Sequence, residues 1–368
     1  MHTADLEELF WAGVNAVRGD NAVRAALAAR ACRQPDQIIA VGKAASAMAR
    51  AAHDAFPDAP LLVVTKYHHA DGAPEGAEVR ESAHPVLDEN SLAAGARLLD
   101  VVSGMNPDSH LLILVSGGAS ALAEAPVDGL DLAGLTARAQ EMLASGADIH
   151  AMNAARTAVS RVKGGKLLGQ FKGASVTTLA ISDVEGDSLA VIGSGIGDAP
   201  ERRDFAFDAR IVASNAIARA AVAEAARRTG LPVATNDETL YDDIMALAPR
   251  IGAALRAAQP GVHIFGGEPT VVLPPNPGRG GRNQALALML AREIQGQNGL
   301  RLLVAGTDGT DGPTDAAGAV VDGSTWDDTA QDALARADAG SWLDAHGALL
   351  KTGPTGTNVM DLVIGLRD

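Results

Sequence analysis

The sequence predicts an α/β protein of two domains, and three observations carry that prediction. Apolar runs of strand length alternate with helix-like segments at the spacing of βαβ units. The runs are aliphatic and nearly continuous, as strands buried on both faces of a parallel sheet must be: 47% of the 368 residues are apolar, yet only three Trp, two Tyr and six Phe occur. Glycines and charges collect where those runs end, in VGKAAS (41–46), VSGGAS (115–120), SDVEGD (182–187), GGEPT (266–270), GRGGRNQ (278–284), GTDGTDG (306–312) and TGPTGTN (352–358). Ligands of open α/β sheets bind at the carboxyl ends of the strands, where glycine lets backbone N–H groups approach an anion. So many loops of this kind point to a large anionic ligand, a nucleotide, beside a small acid.

The elements follow in order. Residues 3–31 read as two helices broken at Gly19-Asp20-Asn21, with Asp20 or Asn21 as a cap. Strand 37–42 leads directly into helix 43–56, and strand 61–66 into helix 91–104. Strand 110–115 precedes the SGGAS turn. Helices at 131–145 and 151–160 lead to strand 175–182, then to strand 211–215 and a helix opening at Ala216. The pattern loosens over 231–240 before a helix that ends near 258. Residues 263–273 (HIFGGEPTVVL) read as a hairpin or paired strands. Then come helix 282–295, strand 302–306, the acidic Gly-rich loop, AGAVVD, a helix near 326–337 and a last strand at 361–366. The length suits two domains, and we place the boundary near 235, giving domains 1–235 and 236–368.

Composition excludes several classes. A net charge of −15 argues against a nucleic-acid partner, which needs a basic face. Cys32 is the single cysteine, so no intramolecular disulfide and no paired-Cys metal site forms. The acidic, amphipathic start does not have the pattern of a signal peptide, and no apolar run approaches the ~20 residues of a membrane span. The expected location is the cytoplasm, and base rates for soluble enzymes favour a homodimer.

The loops also carry chemistry. Lys43 follows Gly42 at a strand-to-helix turn, where a lysine is disfavoured unless an anion binds; no Walker A pattern is present. Arg279 and Arg282 stand among three glycines, and arginine forks suit phosphate or carboxylate. Asp308, Asp311 and Asp315, interleaved with threonines, suit Mg²⁺, which takes one or two carboxylates plus substrate phosphates; capping of turns by the same aspartates is the competing reading. Asp183, Glu185, Asp187 and Glu268 lie just beyond buried strands. Ser116 is not in a GxSxG elbow, so a hydrolase nucleophile is not expected. His68 and His69 read as surface residues, and His84, ahead of Pro85, ranks below the lysine and arginine.

Taken together, VGKAASAMA, HPVLDENS, VSGGASALAEAP, SGADIHAMNAARTAVSRVKGGKL, SDVEGD, GGEPT, GRGGRNQALAL, AGTDGTDGPTDAAGAVVDG and TGPTGTNVMDL resemble the glycerate 2-kinase family, whose members carry a C-terminal MOFRL domain and are also labelled hydroxypyruvate reductase. The resemblance runs in consistent order from about residue 37 to 366. It implies a Rossmann-like N-terminal domain with helices on both faces of a parallel sheet, a smaller MOFRL α/β domain and an active site in the interdomain cleft. It implies ATP- and Mg²⁺-dependent phosphorylation of D-glycerate at the 2-hydroxyl.

On that resemblance Lys43 falls on the active-site lysine and Arg282 on the arginine of GGRNQ, with Asp183 (or Glu185) placed to accept the hydroxyl proton. ATP is expected on Ser116, Gly117, Gly118 and Ser120 of one loop and on Gly267, Glu268, Asn283, Thr307, Gly309 and Thr355 of the others. Asp187, Asp308 or Asp311 would hold the metal. The chain departs from the family at 191–206, where no Pro-Thr follows Ser194-Gly195, and at Ala119 and Met360. These changes leave a related hydroxy acid open as the substrate. The alternative is an NAD(P)H-dependent hydroxypyruvate reductase, which requires GxGxxG after the first strand and an acidic residue about 20 positions on; GKAASA and GRGGRN do not fit it. A non-catalytic sugar-acid-binding protein is third, and it would need neither the oxyanion loops nor the acidic loop.

Overall fold

The computed structural model describes residues 6–144 and 149–368. The first residues of the expected opening helix (3–5) and residues 145–148, including the end expected for the helix at 131–145, lie outside the described residues. By contacts the chain forms two compact units, one of Arg18–Ala213 and one that combines Met1–Val17 with Ser214–Asp368.

Helix α1 (Leu6–Val17) begins the second unit, and α2 (Gly19–Ala29) opens the first. The break between them falls at Arg18, whose backbone is non-helical (φ −57°, ψ 138°). Asp20 therefore lies inside the first turn of α2 instead of capping it, where it pairs with Arg18 and Arg24.

The first unit is built on β1 (Gln37–Val41), α3 (Ala45–Ala55), β2 (Leu61–Lys66), β3 (Glu78–Ser82), α4 (Glu89–Ser103), β4 (His110–Val115), the single turn α5 (Ala119–Leu122), α6 (Leu132–Ala144), α7 (Ile149–Ala158), β5 (Ser175–Ile181) and β6 (Ala206–Ala213). Its six strands are all parallel, in the order β3-β2-β1-β4-β5-β6. The expected doubly wound sheet is what forms. Every residue of β4 is buried, as are Ile38–Val41 of β1, which is why both strands read as unbroken apolar runs. The order reverses between β1 and β4, and a sheet of this kind binds its ligand outside the carboxyl ends at that point. Val41 and Val115 pair in register, so the loops that follow them emerge side by side.

The second unit continues with α8 (Asn215–Arg228), β7 (Val233–Glu238), α9 (Ile244–Ala257), β8 (Gly261–Gly267), α10 (Arg282–Glu293), β9 (Leu300–Gly306), β10 (Gly318–Asp322), α11 (Thr329–Ala335), α12 (Ala339–Ala345), β11 (Leu349–Leu350) and β12 (Asp361–Arg367). Its sheet runs β11-β10-β9-β12-β8-β7 and is mixed: only β7 and β8 are parallel. One buried core gathers α9, α10 and the sheet, with Leu247, Leu255, Leu286, Leu290, Leu302 and Val363 at its centre. Helix α1 packs on α8 so closely that a Cβ on Gly13 would lie 2.8 Å from Val222.

The hairpin expected over 263–273 does not form. Both edges of β8 are already taken, by β12 and β7. Residues 268–273 therefore leave the sheet, and Val272 and Leu273 are 87% and 54% exposed.

Candidate active site

At the reversal of strand order in the first unit, the chain after β1 and the chain after β4 are tied together. The Ser116 N–H donates to Val41 O (3.0 Å), and the Lys43 N–H donates to Gly117 O (2.9 Å). The Ser116 hydroxyl accepts the Ala44 N–H at 3.1 Å. Gly42 (φ 130°) is required here, because a Cβ would lie 2.2 Å from that hydroxyl. Ser116 is buried and fastens the loops to each other.

Three side chains converge on the following glycines. A Cβ on Gly117 would lie 2.0 Å from Asp183 Oδ2, so the carboxylate from the end of β5 rests directly on that backbone. A Cβ on Gly118 would lie 3.1 Å from both Lys43 Cγ and His84 Cδ2. The lysine stem, the imidazole and the glycine loop therefore share one small space. Lys43 is half-buried, and its ammonium has no carboxylate partner among the described residues. Burial first, then the charges of Lys43 and Lys66 and of His69, pull the His84 pKa down to about 4, so the ring is neutral at physiological pH. Ser120 is bound by the Ser194 hydroxyl at 2.9 Å. Asp187 is half-buried, at a positive φ of 52°.

The second cluster is built differently. Arg282 opens α10 and is held by two carboxylates, Nε to Asp361 Oδ2 at 2.7 Å and an Nη1 to Glu268 Oε1 at 2.9 Å. Asp361 opens β12 and stands in register with Gly267 on β8 and Gly306 on β9, which brings it beside Glu268 at the end of β8. Its side chain is 4% exposed, against 49% for Glu268. Burial works against the guanidinium charge, but Asp361 and then Glu268 outweigh it and hold the pKa above the ordinary arginine range.

Asp311 caps α10 from a distance in sequence. One carboxylate oxygen accepts the Asn283 N–H (3.0 Å), and the other accepts the Gln284 N–H (2.8 Å). Burial raises its pKa to about 6 in spite of those two donors, with Asp361 adding to the rise and Arg282 opposing it. This helix end thus already holds an anion. Thr307 and Thr355 are likewise occupied. The Thr307 hydroxyl donates to Met360 O (2.7 Å), and the Thr355 hydroxyl donates to Thr307 O (2.6 Å). Gly309 lets the 307–311 loop lie against Gly353, whose carbonyl oxygen a Cβ there would approach to 2.0 Å. Asp308 Oδ1 accepts the Thr310 N–H and hydroxyl. The Asn283 side chain is buried, and its amide opposes the rise that burial gives the Asp361 pKa. Gly267 turns against the backbone of Leu240, and its φ of 135° admits only glycine comfortably.

The structure thus gathers Lys43, Gly117, Gly118 and Asp183 in one cluster and Arg282, Glu268 and Asn283 in another, while Ser116, Thr307, Thr355 and Asp311 bond to the surrounding fold. Among the described residues no three Asp, Glu, His or Cys side chains group closely enough to hold a metal ion. Two members were not singled out by the motifs. His84 was ranked low because nothing local shows it reaching Gly118. Asp361 is hidden in TNVMDLVIGL, where its neighbours on β8 and β9 are invisible.

Residues 5–229 match a family described as a domain of unknown function, DUF4147, and residues 261–361 match the MOFRL family. The chain is 37% identical to D-glycerate 2-kinase of Thermotoga maritima, with 89% of this chain and 90% of that one covered. It is 33% identical to glycerate 2-kinase of Pyrococcus horikoshii, with 89% and 86% covered. The chain belongs to the glycerate 2-kinase family. The crystal structure of glycerate kinase from Thermotoga maritima superposes with a TM-score of 0.90 at 34% identity, covering 98% of each chain. Among the described residues no helix is long and apolar enough to cross a membrane.

Proposed function

We propose that this protein is a glycerate 2-kinase that transfers the terminal phosphoryl group of ATP to the 2-hydroxyl of D-glycerate. Family membership supports the reaction. The observation that carries the site is the meeting of Lys43, the Gly117-Gly118 backbone and the Asp183 carboxylate where the strand order reverses.

Phosphoryl transfer needs positioning and charge neutralisation more than covalent chemistry. In this reading the Lys43 ammonium, which has no carboxylate partner among the described residues, neutralises the transferring group, and backbone N–H donors of the glycine loop sit close to its oxygens. Asp183, fixed against Gly117, orients the attacking hydroxyl and takes its proton. His84 stays neutral beside Lys43 and so does not repel it. Arg282, aimed by Asp361, meets an anionic group once the exposed Glu268 yields its place. Mg²⁺, when bound, neutralises charge on the ATP phosphates. Asp308, with one carboxylate oxygen outside its own turn, or alternatively Asp187 suits a site in which phosphates supply the remaining ligands. Asp311 suits it less, since both its oxygens accept helix amides.

The test is a coupled assay of ADP release from ATP and Mg²⁺ with D-glycerate, with NADH and NADPH oxidation on hydroxypyruvate run in parallel. The expected result is ADP release that depends on D-glycerate and yields 2-phosphoglycerate. Nicotinamide oxidation without ADP release overturns the reading.

A further inference from the structure

A cavity of about 650 Å³ adjoins the Lys43–Asp183 cluster and shares His84, Gly118 and Ser120 with it. Its walls are mainly apolar, including Val86, Leu87, Ala121, Leu135, Met142 and Val159. Its most deeply buried lining side chains are charged. Lys163 Nζ lies 2.6 Å from Glu124 Oε2, and the two side chains are only 3% and 2% exposed. Glu124 is fully engaged, since its other oxygen accepts the Ser160 hydroxyl (2.5 Å) and the Ala125 N–H (2.9 Å). Gly95 locks that backbone in place, because a Cβ there would lie 2.1 Å from Glu124 O. Lys163 is not so engaged. An ammonium has three donors, and Glu124 is its one side-chain partner among the described residues.

We propose that this cavity holds the base and ribose of the nucleoside triphosphate donor, with the phosphates leaving past Ser120 and Gly118 toward Lys43. The inference rests on the kinase reading above and adds to it the place of the nucleoside. Volume is the first argument. The cavity lies in the range of pockets that enclose ligands of nucleoside size and line them mostly with apolar groups, and a three-carbon acid would leave most of it empty. Charge is the second. The buried pair sums to zero and the other charged lining residues, Arg138, Glu141 and Arg156, are exposed, so the depth of the cavity presents N–H donors without net charge, which suits the ring acceptors of a heterocyclic base better than a carboxylate. A buried ion pair seldom stabilises a fold more than apolar packing does, so packing alone does not account for this one. Continuity is the third, since the wall that begins at Lys163 and Glu124 ends on the glycine loop that touches Lys43.

The experiment uses the full-length enzyme and the cavity-filling variants Ala121→Phe and Val159→Phe, which enter from different walls, with thermal melting to confirm that each is folded. ADP binding is titrated by calorimetry, and turnover on D-glycerate is compared with ATP and with inorganic tripolyphosphate, a donor without base or ribose. The proposal expects ADP affinity to fall at least ~10-fold, equivalent to about 1.4 kcal/mol, the preference for ATP over tripolyphosphate to shrink by a similar factor, and the KM for D-glycerate to stay within about twofold. A folded variant with ADP affinity and donor preference within about twofold of the parent overturns it. So does a selective rise in the KM for D-glycerate, which would assign the cavity to the acid. If the parent enzyme phosphorylates glycerate with neither donor, the kinase reading fails; the ADP titration then still decides the cavity.

Discussion

Lys43 and Arg282 place a positive charge in opposite ways. Lys43 projects from a loop fixed by backbone hydrogen bonds, half-buried and without a carboxylate partner among the described residues. Arg282 is held by two carboxylates and is over-neutralised by them. An anion arriving at the lysine meets an ammonium that no carboxylate pairs among the described residues. One arriving at the arginine meets a net negative one until Glu268, half-exposed, moves aside; Asp361 is enclosed and stays. The contrast separates a charge without a carboxylate partner among the described residues from one whose direction two carboxylates fix.

Removing each charge tests that separation most severely. Arg282→Ala leaves Asp361 buried without its partner, and the expected loss of stability is about 3–5 kcal/mol, read from urea unfolding, together with loss of turnover. Lys43→Ala removes a charge that no carboxylate holds among the described residues. Its unfolding free energy is expected within about 0.5 kcal/mol of the parent, while turnover falls at least ~100-fold. Equal destabilisation by the two substitutions would end the comparison.

A smaller effect is expected from Gly117→Ala. The new methyl group claims the place of Asp183 Oδ2, and a displacement of that order costs about 100-fold in turnover. The melting temperature is expected to move little, because a side-chain end can give way. Unchanged turnover would remove Asp183 from the reacting centre.

The smallest effect is on pH dependence, and the two clusters have opposite signs. Burial keeps the Asp311 carboxyl protonated up to about pH 6, where the unfolded chain has already lost the proton. Its stabilising contribution is present in acid and is lost as pH rises from about 4 to about 6. His84 titrates near 4 when folded and at about 6.5 when unfolded. Its contribution is present above the unfolded value and is lost as pH falls through that window. His84→Gln is therefore expected to melt closer to the parent at pH 4.5 than at pH 7, and Asp311→Asn closer at pH 7 than at pH 4.5. The reverse order would mean that other groups set these slopes.

The sequence made the first unit more legible than the second, for a physical reason. Strands such as β1 and β4 are covered on both faces and show as apolar runs, and the glycines after them mark the site. β3 (EVRES) buries only Ser82, and β7 (VATNDE) buries no residue fully, so neither has an apolar signal; each lies at a sheet edge. The two-residue β11 and the short α12 are too brief to show a period. VVL at 271–273 does have the composition of a strand, but β8 has no free edge to receive it. The site divides the same way. Lys43, Arg282 and Asp183 stand in local motifs, whereas the Asp311 cap of α10 and the Lys163–Glu124 pair join residues far apart in sequence. A pattern confined to one stretch of chain cannot reveal them.

Helix α1 belongs with α8, yet the whole of the first unit is inserted between them. During synthesis, the apolar face carrying Phe10, Val14 and Val17 emerges before the first unit and finds its partner only after Ala213 has been made. Thr357, whose hydroxyl donates to Val17 O, arrives later still. A nascent chain halted at the end of the first unit would carry a finished sheet and an apolar face of α1 without its α8 partner. Synthesis of the second sheet therefore also covers a helix that was made before the first sheet.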